Sequence, residues 1–187
     1  MQRLHQEDFC QALGIPPDQK YEKEGGPGLR QCFQLLRDAS IQPVADMQAL
    51  LRWVIFNYLI GNADAHGKNI SLMLTDSGPR LAPFYDLMST AVYPELAERL
   101  AMRLGGEDRP GWIVERRWRQ FAEETGIGFK LVRRTLVEMK HSMAAEAESL
   151  ALLLAHELGE SATVAQIVRL IQARGQKITN VLAAADG

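Results

Sequence analysis

Apolar residues recur at helical spacing along most of the chain, and the clearest stripe lies between Pro43 and Gly61. Its members are either neighbours in the sequence or three to four positions apart, which is the spacing of a helix that buries one side. Proline fits the first turn of a helix, and glycine fits the position after its last turn. The pattern predicts one long buried helix whose apolar face is Met47, Leu50, Leu51, Val54, Ile55, Tyr58 and Leu59.

Shorter helices are predicted on both sides of this long one. We expect them at residues 5–13, 29–37 and 118–125. Glycine favours the left-handed backbone that follows a helix, so Gly14 and Gly126 are suitable ends for the first and the third.

Two apolar stripes predict long helices on either side of Gly159. Ser161 can cap the second helix, and Gly175 marks a place where that helix can bend or break. We expect both stripes to lie in the hydrophobic core. The first stripe consists of Val132, Leu136, Met139, Met143, Ala147, Leu150, Leu154 and Leu158, and the second of Val164, Ile167, Val168, Ile171, Ile178, Val181 and Leu182.

A polar segment without periodicity, residues 62–69, follows Gly61 and predicts a loop. Short apolar runs at 70–74 and 80–82 flank a turn-forming sequence and predict a β hairpin. Residues 99–104 are a candidate for a further strand. The predicted fold class is mainly α: a helical lobe with one small β hairpin beside the polar loop.

Composition limits the class of protein. The 187 residues are 47% apolar and 24% charged, which fits one globular domain and excludes disorder of the whole chain. A net charge of −2 gives no reason to expect nucleic acid as the main partner. No apolar run reaches the roughly 18 residues of a membrane span, and the first residues lack a signal peptide's apolar stretch. Cys10 and Cys32 lack metal-ligand spacing, so we expect reduced cysteines and a cytoplasmic protein.

Three side chains in and after the polar loop carry oxygen atoms suited to phosphate chemistry. Asp64 and Asn69 lie in the loop, and Asp86 follows the second strand of the hairpin, which folds it back toward them. Mg²⁺ prefers oxygen ligands and keeps several waters, so Asn69 and Asp86 suffice to hold it. Asp64 is then free to accept a hydrogen bond from an incoming hydroxyl, as in protein kinases. Lys68 can neutralise charge on a transferring phosphoryl group.

The sequence of residues 59–69 resembles the catalytic loop of HipA-type serine/threonine kinases, whose pattern is roughly N-x-D-x-H-x-K-N. Residues 83–87, P-F-Y-D-L, resemble the metal-binding motif of that family, in which a Tyr-Asp pair stands where other kinases have Asp-Phe-Gly. The resemblance extends over most of the chain and includes residues 6–14, 20–28, 100–103 and 105–107.

The resemblance implies a role for each residue of the site. Asp64 would be the catalytic base, Asn69 and Asp86 the Mg²⁺ ligands, and Lys68 a contact to the phosphates of ATP. His66 would organise the loop. HipA-like proteins are toxins of bacterial toxin–antitoxin modules. The expected partners are therefore a HipB-like antitoxin, through which any DNA contact would be indirect, and a cytoplasmic protein substrate of the aminoacyl-tRNA synthetase class.

The sequence departs from a complete kinase before the catalytic loop. No strand, glycine-rich loop and second strand precede it, and the segment Gly25-Gly26-Pro27-Gly28 reads as a turn into a helix rather than a phosphate-covering loop. We therefore expect residues 1–187 to form a C-terminal kinase lobe without its N-terminal lobe, inactive or weakly active alone.

Other interpretations stay open. The chain can be a non-catalytic module that binds an antitoxin or a separate N-terminal lobe through exposed apolar surface. Asp64, His66 and Asp86 can instead hold the metal of a hydrolase, although the neighbouring Lys68 disfavours a second cation. His66 is more typical of a structural histidine than of a proton-transfer group. Basic residues between 116 and 140 are interleaved with glutamates, which is typical of a solvated helix face.

Overall fold

A computed structural model describes residues 3–183, with side chains described up to Thr179. Besides four short 3₁₀ turns, this part contains six α-helices and three strands. In chain order they are β1 His5–Asp8, α1 Phe9–Ala12, α2 Leu29–Ala39, α3 Pro43–Ile60, β2 Ser71–Thr75, β3 Gly78–Leu81, α4 Glu115–Thr125, α5 Phe129–Leu158 and α6 Ala162–Ala183. The prediction of a mainly helical lobe is confirmed.

Helix α3 is the centre of the core and ends where the polar loop begins. It packs against α2, α5 and α6, and Leu50, Ile55 and Leu59 are fully buried. Pro43 occupies its first turn, and Gly61 ends it in the left-handed conformation with a φ of 77°, both as predicted. A helix surrounded by others is a rigid base for the loop that follows it.

The β structure is a three-stranded antiparallel sheet in the order β1-β2-β3. The predicted hairpin is present as β2 and β3, with Leu72 opposite Leu81. The helix predicted at residues 5–13 is wrong in its first half, because residues 5–8 form β1, which pairs His5 with Leu74. Only Phe9–Ala12 is helical, capped by the Asp8 side chain. The free edge of β2 supplies hydrogen bonds that no local pattern indicates.

The strand predicted at residues 99–104 is absent; residues 99–103 are irregular, and only Leu104 forms an isolated bridge, to Glu107. The backbone groups of this segment bind other loops instead. The Ala101 N–H donates to the carbonyl of Ala63 at 2.9 Å, and the Ala101 carbonyl accepts from the N–H of Glu22 at 3.2 Å. The segment therefore joins the polar loop to the loop that precedes α2.

The two C-terminal helices, α5 and α6, pack against each other. In α5 the first half of the predicted stripe is buried, as at Leu136, but Leu150 is 56% exposed and Leu158 is 81% exposed. The prediction that the whole stripe is core is therefore wrong, because α5 extends past the body of the lobe. Helix α6 runs without interruption through Gly175. The side chains of Val181 and Leu182 lie outside the described residues.

A buried ion pair attaches the sheet to the start of α3. The Asp46 carboxylate accepts hydrogen bonds from the Arg80 guanidinium, from the Ser40 hydroxyl and from the N–H of Leu81. Burial by itself raises the pKa of Asp46, but these hydrogen bonds outweigh it, and the net shift is downward. Because Arg80 and Leu81 belong to β3, this network sets where the chain leaves the sheet on its way to Asp86.

Candidate active site

The polar loop is attached at its first residues to the short helical turn Thr90–Val92. The Thr90 hydroxyl accepts a hydrogen bond from the Ala63 N–H at 2.7 Å and donates to the carbonyl of Gly61 at 3.1 Å. The Ala91 N–H donates to the same carbonyl. These bonds satisfy the Gly61 carbonyl and the Ala63 N–H at the end of α3, and they fix the direction in which the loop leaves the helix.

Asn62 connects the loop to the segment that carries Asp86. Its side-chain oxygen accepts from the N–H of Asp64 at 3.0 Å, the turn that asparagine commonly makes two residues ahead of itself. Its amide nitrogen donates to the Asn57 side chain at 2.8 Å and to the backbone carbonyl of Asp86 at 3.2 Å. Asn62 is only 3% exposed, so each of these bonds replaces water that the group has lost.

Asn69 and Asp86 meet directly, although 17 positions separate them. The Asn69 amide nitrogen donates to the Asp86 carboxylate at 2.5 Å, while its oxygen accepts from the N–H of His66 at 3.0 Å. Asp86 has a φ of 57°. Among residues 3–183, all other residues with positive φ are glycines. Aspartate tolerates this conformation better than most residues, and such backbones concentrate at functional sites.

Asp64 lies on the side of the loop that faces an open groove. Its side chain is 39% exposed, and one oxygen accepts a hydrogen bond from the Tyr21 hydroxyl at 2.6 Å. No hydrogen bond within the described part of the chain joins Asp64 directly to Asn69 or Asp86; Asn62 connects them. The predicted convergence of three side chains is therefore direct for Asn69 and Asp86 and indirect for Asp64.

The groove beside Asp64 has a volume of about 840 Å³. Its walls come from four segments: the loop before α2, the polar loop, the stretch that contains Met88 and Thr90, and the irregular residues near 100. The lining carries both charges and apolar surface, including Tyr21, Lys23, Asp64, Leu96, Arg99 and Arg103. A site open on this scale admits a polypeptide segment as well as a small molecule.

His66 is buried behind Asp64. Burial lowers the pKa of His66 below its usual value, and the Asp64 carboxylate only partly opposes this, so the imidazole is neutral at pH 7. Its ring meets the edge of the Tyr21 ring at 5.3 Å between centroids, and its Nε2 atom is 3.9 Å from the Asp64 carboxylate. These contacts suit the organising role implied for His66 better than proton transfer.

Lys68 has a half-buried side chain in the loop. Its ammonium forms no ion pair with residues 3–183, which leaves it available to an anion. Its backbone carbonyl accepts a hydrogen bond from the Tyr85 hydroxyl, which also lies 2.8 Å from the Ser71 hydroxyl. Tyr85 thus joins the motif at 83–87 to the loop and to β2.

The residues proposed to hold Mg²⁺ offer hard oxygen atoms. Asn69 keeps one lone pair on its amide oxygen, and the exposed Asp86 keeps one carboxylate oxygen without a hydrogen bond inside the described chain. Two such ligands suit Mg²⁺, which retains water. Between residues 3 and 183 no group of three or more His, Cys, Asp or Glu is arranged to hold a metal, so the hydrolase interpretation finds no ligand cluster there.

Residues 1–151 match the HipA-like C-terminal domain family. The chain belongs to this family. A curated relative of the HipA-like domain, "Putative kinase Y4mE" of Sinorhizobium fredii, is 50% identical over 142 residues, which are 76% of this chain and 34% of the relative. The "Serine/threonine-protein kinase toxin HipA" of Shewanella oneidensis is 37% identical over 147 residues, 73% of this chain and 34% of the relative.

A solved complex of Shewanella oneidensis MR-1 HipA with HipB and operator DNA matches the HipA-like domain with a TM-score of 0.81 and 32% identity. The match covers 96% of this chain and 46% of the other. The chain therefore spans about a third of the length of the curated relatives and about half of the structural one. None of the helices in residues 3–183 has the length and apolar character needed to cross a bilayer.

Sequence reasoning assigned no role to three residues that organise this HipA-like site. Asn62 stands in the quoted family pattern, and its position two residues before Asp64 is a signal for an asparagine turn. Tyr21 stands in the quoted segment 20–28, but nothing near it in the sequence indicates a contact 43 positions away. Thr90 has no signal at all, because its partners are backbone groups of Gly61 and Ala63.

Proposed function

We propose that this HipA-like domain is the catalytic lobe of a serine/threonine protein kinase that transfers the γ-phosphoryl group of ATP to a protein hydroxyl. The observation that carries the proposal is the hydrogen bond from the Asn69 amide nitrogen to the Asp86 carboxylate, at 2.5 Å. Asn69 lies on the loop, and Asp86 lies on the motif that follows the sheet. Kinases place their metal ligands on these two segments. The curated relatives named as kinases support the same activity.

Asp64 is proposed as the base that orients the acceptor. Asp64 lines the groove, and its Oδ2 atom, which Tyr21 does not contact, is proposed to accept a hydrogen bond from the acceptor hydroxyl. In the reaction, the acceptor oxygen bonds to the γ-phosphorus, the bond from that phosphorus to the β–γ bridging oxygen breaks, and the hydroxyl proton passes to Asp64. ADP leaves from the opposite side.

Asn69 and Asp86 are proposed to hold Mg²⁺, which supplies positive charge to the phosphates when it is bound. Asn62 and Asn69 position Asp86 through its carbonyl and its carboxylate. Lys68, six positions after the loop's first residue and free of ion pairs within the described chain, is proposed to contact the transferring phosphoryl group.

The domain assignment is also a proposal: residues 1–187 act as a C-terminal lobe, with the catalytic loop at 62–69 and the metal motif at 83–87, together with an N-terminal lobe. The match covers 34% of each of the two curated relatives, which supports the assignment of one lobe of a longer kinase. Leu87, the last residue of the metal motif, and Met88, which follows it, are 43% and 51% exposed, which suits a face that another lobe covers.

We also propose a role in a toxin–antitoxin module, which the name of a relative, a HipA kinase toxin, supports. We propose a HipB-like antitoxin as partner, because the structural relative was solved with HipB and operator DNA. Contact with DNA would then be indirect. The family resemblance makes an aminoacyl-tRNA synthetase the first protein substrate to test, and a cytoplasmic location stays a prediction.

The test uses the full-length protein with radiolabelled ATP and a protein acceptor. Asp64→Asn should abolish transfer while Mg²⁺-dependent nucleotide binding, measured by calorimetry, persists. Asp86→Asn should lose both. Asp76→Asn removes an exposed carboxylate in the turn of the hairpin and should change neither. Undiminished transfer by Asp64→Asn contradicts the assignment of the base.

A second candidate is a non-catalytic module that binds an antitoxin or a separate N-terminal lobe, and the exposed Leu87 and Met88 favour it. Calorimetry of the 187-residue chain with Mg-ATP separates the two. Tight binding by the chain alone argues against the module, whereas weak binding together with active full-length protein supports the kinase lobe.

A further inference from the structure

Asp64, the proposed base, forms a hydrogen bond with Tyr21. The Tyr21 hydroxyl donates to the Asp64 Oδ1 atom at 2.6 Å, a length typical of a strong hydrogen bond to a carboxylate. This hydrogen bond and partial burial raise the pKa of Tyr21 to about 12. The phenol therefore stays protonated and remains a donor throughout the physiological range.

Tyr21 is held by contacts that do not involve Asp64. Its carbonyl accepts from the N–H groups of Glu24 and Gly26, both at 2.9 Å. Gly26 has no room for a side chain, since a Cβ there would lie 2.6 Å from the Gln19 carbonyl oxygen. The ring of Tyr21 also meets the buried His66 ring edge-on. The hydroxyl is consequently presented from a tight, packed turn.

The same turn is joined to the catalytic loop by a second path. Glu22 accepts the N–H of Arg103 through its carboxylate at 2.6 Å and donates its own N–H to Ala101. Ala101 in turn donates to Ala63, the residue before Asp64. The distance between Tyr21 and Asp64 is therefore maintained by backbone contacts on both sides, whether or not the hydroxyl is present.

The two oxygens of Asp64 are thereby made unequal. Oδ1 is engaged by Tyr21, whereas Oδ2 is 3.9 Å from the His66 Nε2 atom, which is too long for a hydrogen bond. Within the described residues Oδ2 has no hydrogen-bond donor. A carboxylate with one fixed oxygen cannot rotate freely about its terminal torsion, which is otherwise broad.

We propose that Tyr21 is a positioning residue for the phosphotransfer reaction: it fixes Oδ1 of Asp64 so that Oδ2 is presented to the acceptor hydroxyl. This inference rests on the proposed kinase function. It predicts an effect on the chemical step and not on nucleotide binding, because Tyr21 touches neither Asn69 nor Asp86 among its described contacts.

The opposite role is physically possible and gives the opposite result. A hydroxyl that donates to the base also stands where an acceptor hydroxyl would donate, so Tyr21 would then compete with the substrate. Removing the hydroxyl would accelerate transfer in that case. The sign of the change in kcat therefore decides between positioning and competition.

The experiment compares Tyr21→Phe with the unmodified full-length protein. Phenylalanine keeps the ring against His66 and removes only the donor. We expect kcat to fall about tenfold to a hundredfold, the range for losing one hydrogen bond to a charged group, with KM for Mg-ATP unchanged. Tyr93→Phe is the matched control, since Tyr93 is 48% exposed and its hydroxyl has no hydrogen-bond partner in residues 3–183; it should leave kcat unaltered.

Two further measurements make the test specific. Losing one hydrogen bond should lower the melting temperature of Tyr21→Phe by a few degrees at most, and a loss of ATP binding in parallel with the loss of kcat would overturn the inference. Titration of ¹³C-labelled tyrosine by NMR should show a phenol with a pKa of about 12 that falls toward the ordinary value, about 10, in Asp64→Asn.

The outcomes for the inference and for the kinase proposal are distinguishable. A rise or no change in kcat with Tyr21→Phe, while Asp64→Asn remains inactive, overturns the positioning role alone. Absence of transfer by the unmodified full-length protein overturns the proposed function and this inference with it.

Discussion

Gly61 is the position where a single added methyl group should disturb the site most directly. It ends α3 with a φ of 77°, and its carbonyl receives hydrogen bonds from Thr90 and Ala91. A Cβ at this position would lie 2.6 Å from Leu170 Cδ2 on α6 and 2.8 Å from Ala91 Cβ. Gly61→Ala therefore combines backbone strain with a clash against two elements.

The magnitude can be estimated from these two contributions. An alanine in the left-handed region costs about 1–2 kcal/mol relative to glycine. The tip of Leu170 can rotate away, but the Cβ of Ala91 moves only with its backbone, so overpacking adds about 1–3 kcal/mol. The expected total is about 2–5 kcal/mol, a large part of the roughly 5–15 kcal/mol that stabilises an ordinary domain.

Gly14 provides the matched control for this prediction. Its φ is 67°, and a Cβ there would meet no atom within 4 Å. Gly14→Ala should thus cost only the backbone contribution, about 1–2 kcal/mol. The free energy of unfolding of both variants is measured with urea on the 187-residue chain, at unchanged m-value.

A double-mutant cycle with Leu170→Ala isolates the clash. Leu170→Ala should cost less in the Gly61→Ala background than in the unmodified protein, because it removes the atom that the new methyl group meets. Equal losses of stability for Gly61→Ala and Gly14→Ala, with no coupling to Leu170, would refute the claim that α6 packs against the start of the loop.

The remaining predictions concern the ion pair and the C-terminal helices. Asp46→Asn should lower the free energy of unfolding at pH 7 by about 1–3 kcal/mol. Because the pKa of Asp46 is lowered in the folded state, the stabilisation by its carboxylate is present above about pH 4 and is lost as the pH falls further. Urea denaturation at pH 3 should therefore show a smaller difference in stability between Asp46→Asn and the unmodified protein. Leu136→Ala, at a fully buried position, should cost about 2–5 kcal/mol, whereas Leu158→Ala, at 81% exposure, should stay within about 0.5 kcal/mol; similar losses would show that the end of α5 is packed in solution.

Much of the candidate site was accessible from the sequence, because its residues stand in a short pattern. Asp64, His66, Lys68 and Asn69 occupy one loop between a strongly periodic helix and a hairpin. Asp86 follows the hairpin closely enough for its return to be predicted. The pairing of Asn69 with Asp86 is the geometric consequence of that local order, although the roles of these residues stay predictions.

The contact between Tyr21 and Asp64 could not be predicted in the same way. Its partners are 43 positions apart, and they are brought together by the irregular segment near Ala101, which the sequence indicated as a strand. Hydrogen bonds between loops depend on how the whole lobe packs, and no periodicity precedes them.

The sequence by itself determined the helices whose caps and apolar stripes agree, above all α3 between Pro43 and Gly61, because helix formation depends on residues within one or two turns. Only the tertiary structure decided that residues 5–8 form a strand on the free edge of β2 and that Leu150 and Leu158 lie outside the core. An edge strand requires a partner far along the chain, and burial requires a neighbour, so neither is encoded in local spacing. The same reason separates the two parts of the site: the loop that bears the chemistry is local, and the tyrosine that holds its aspartate is supplied by the fold.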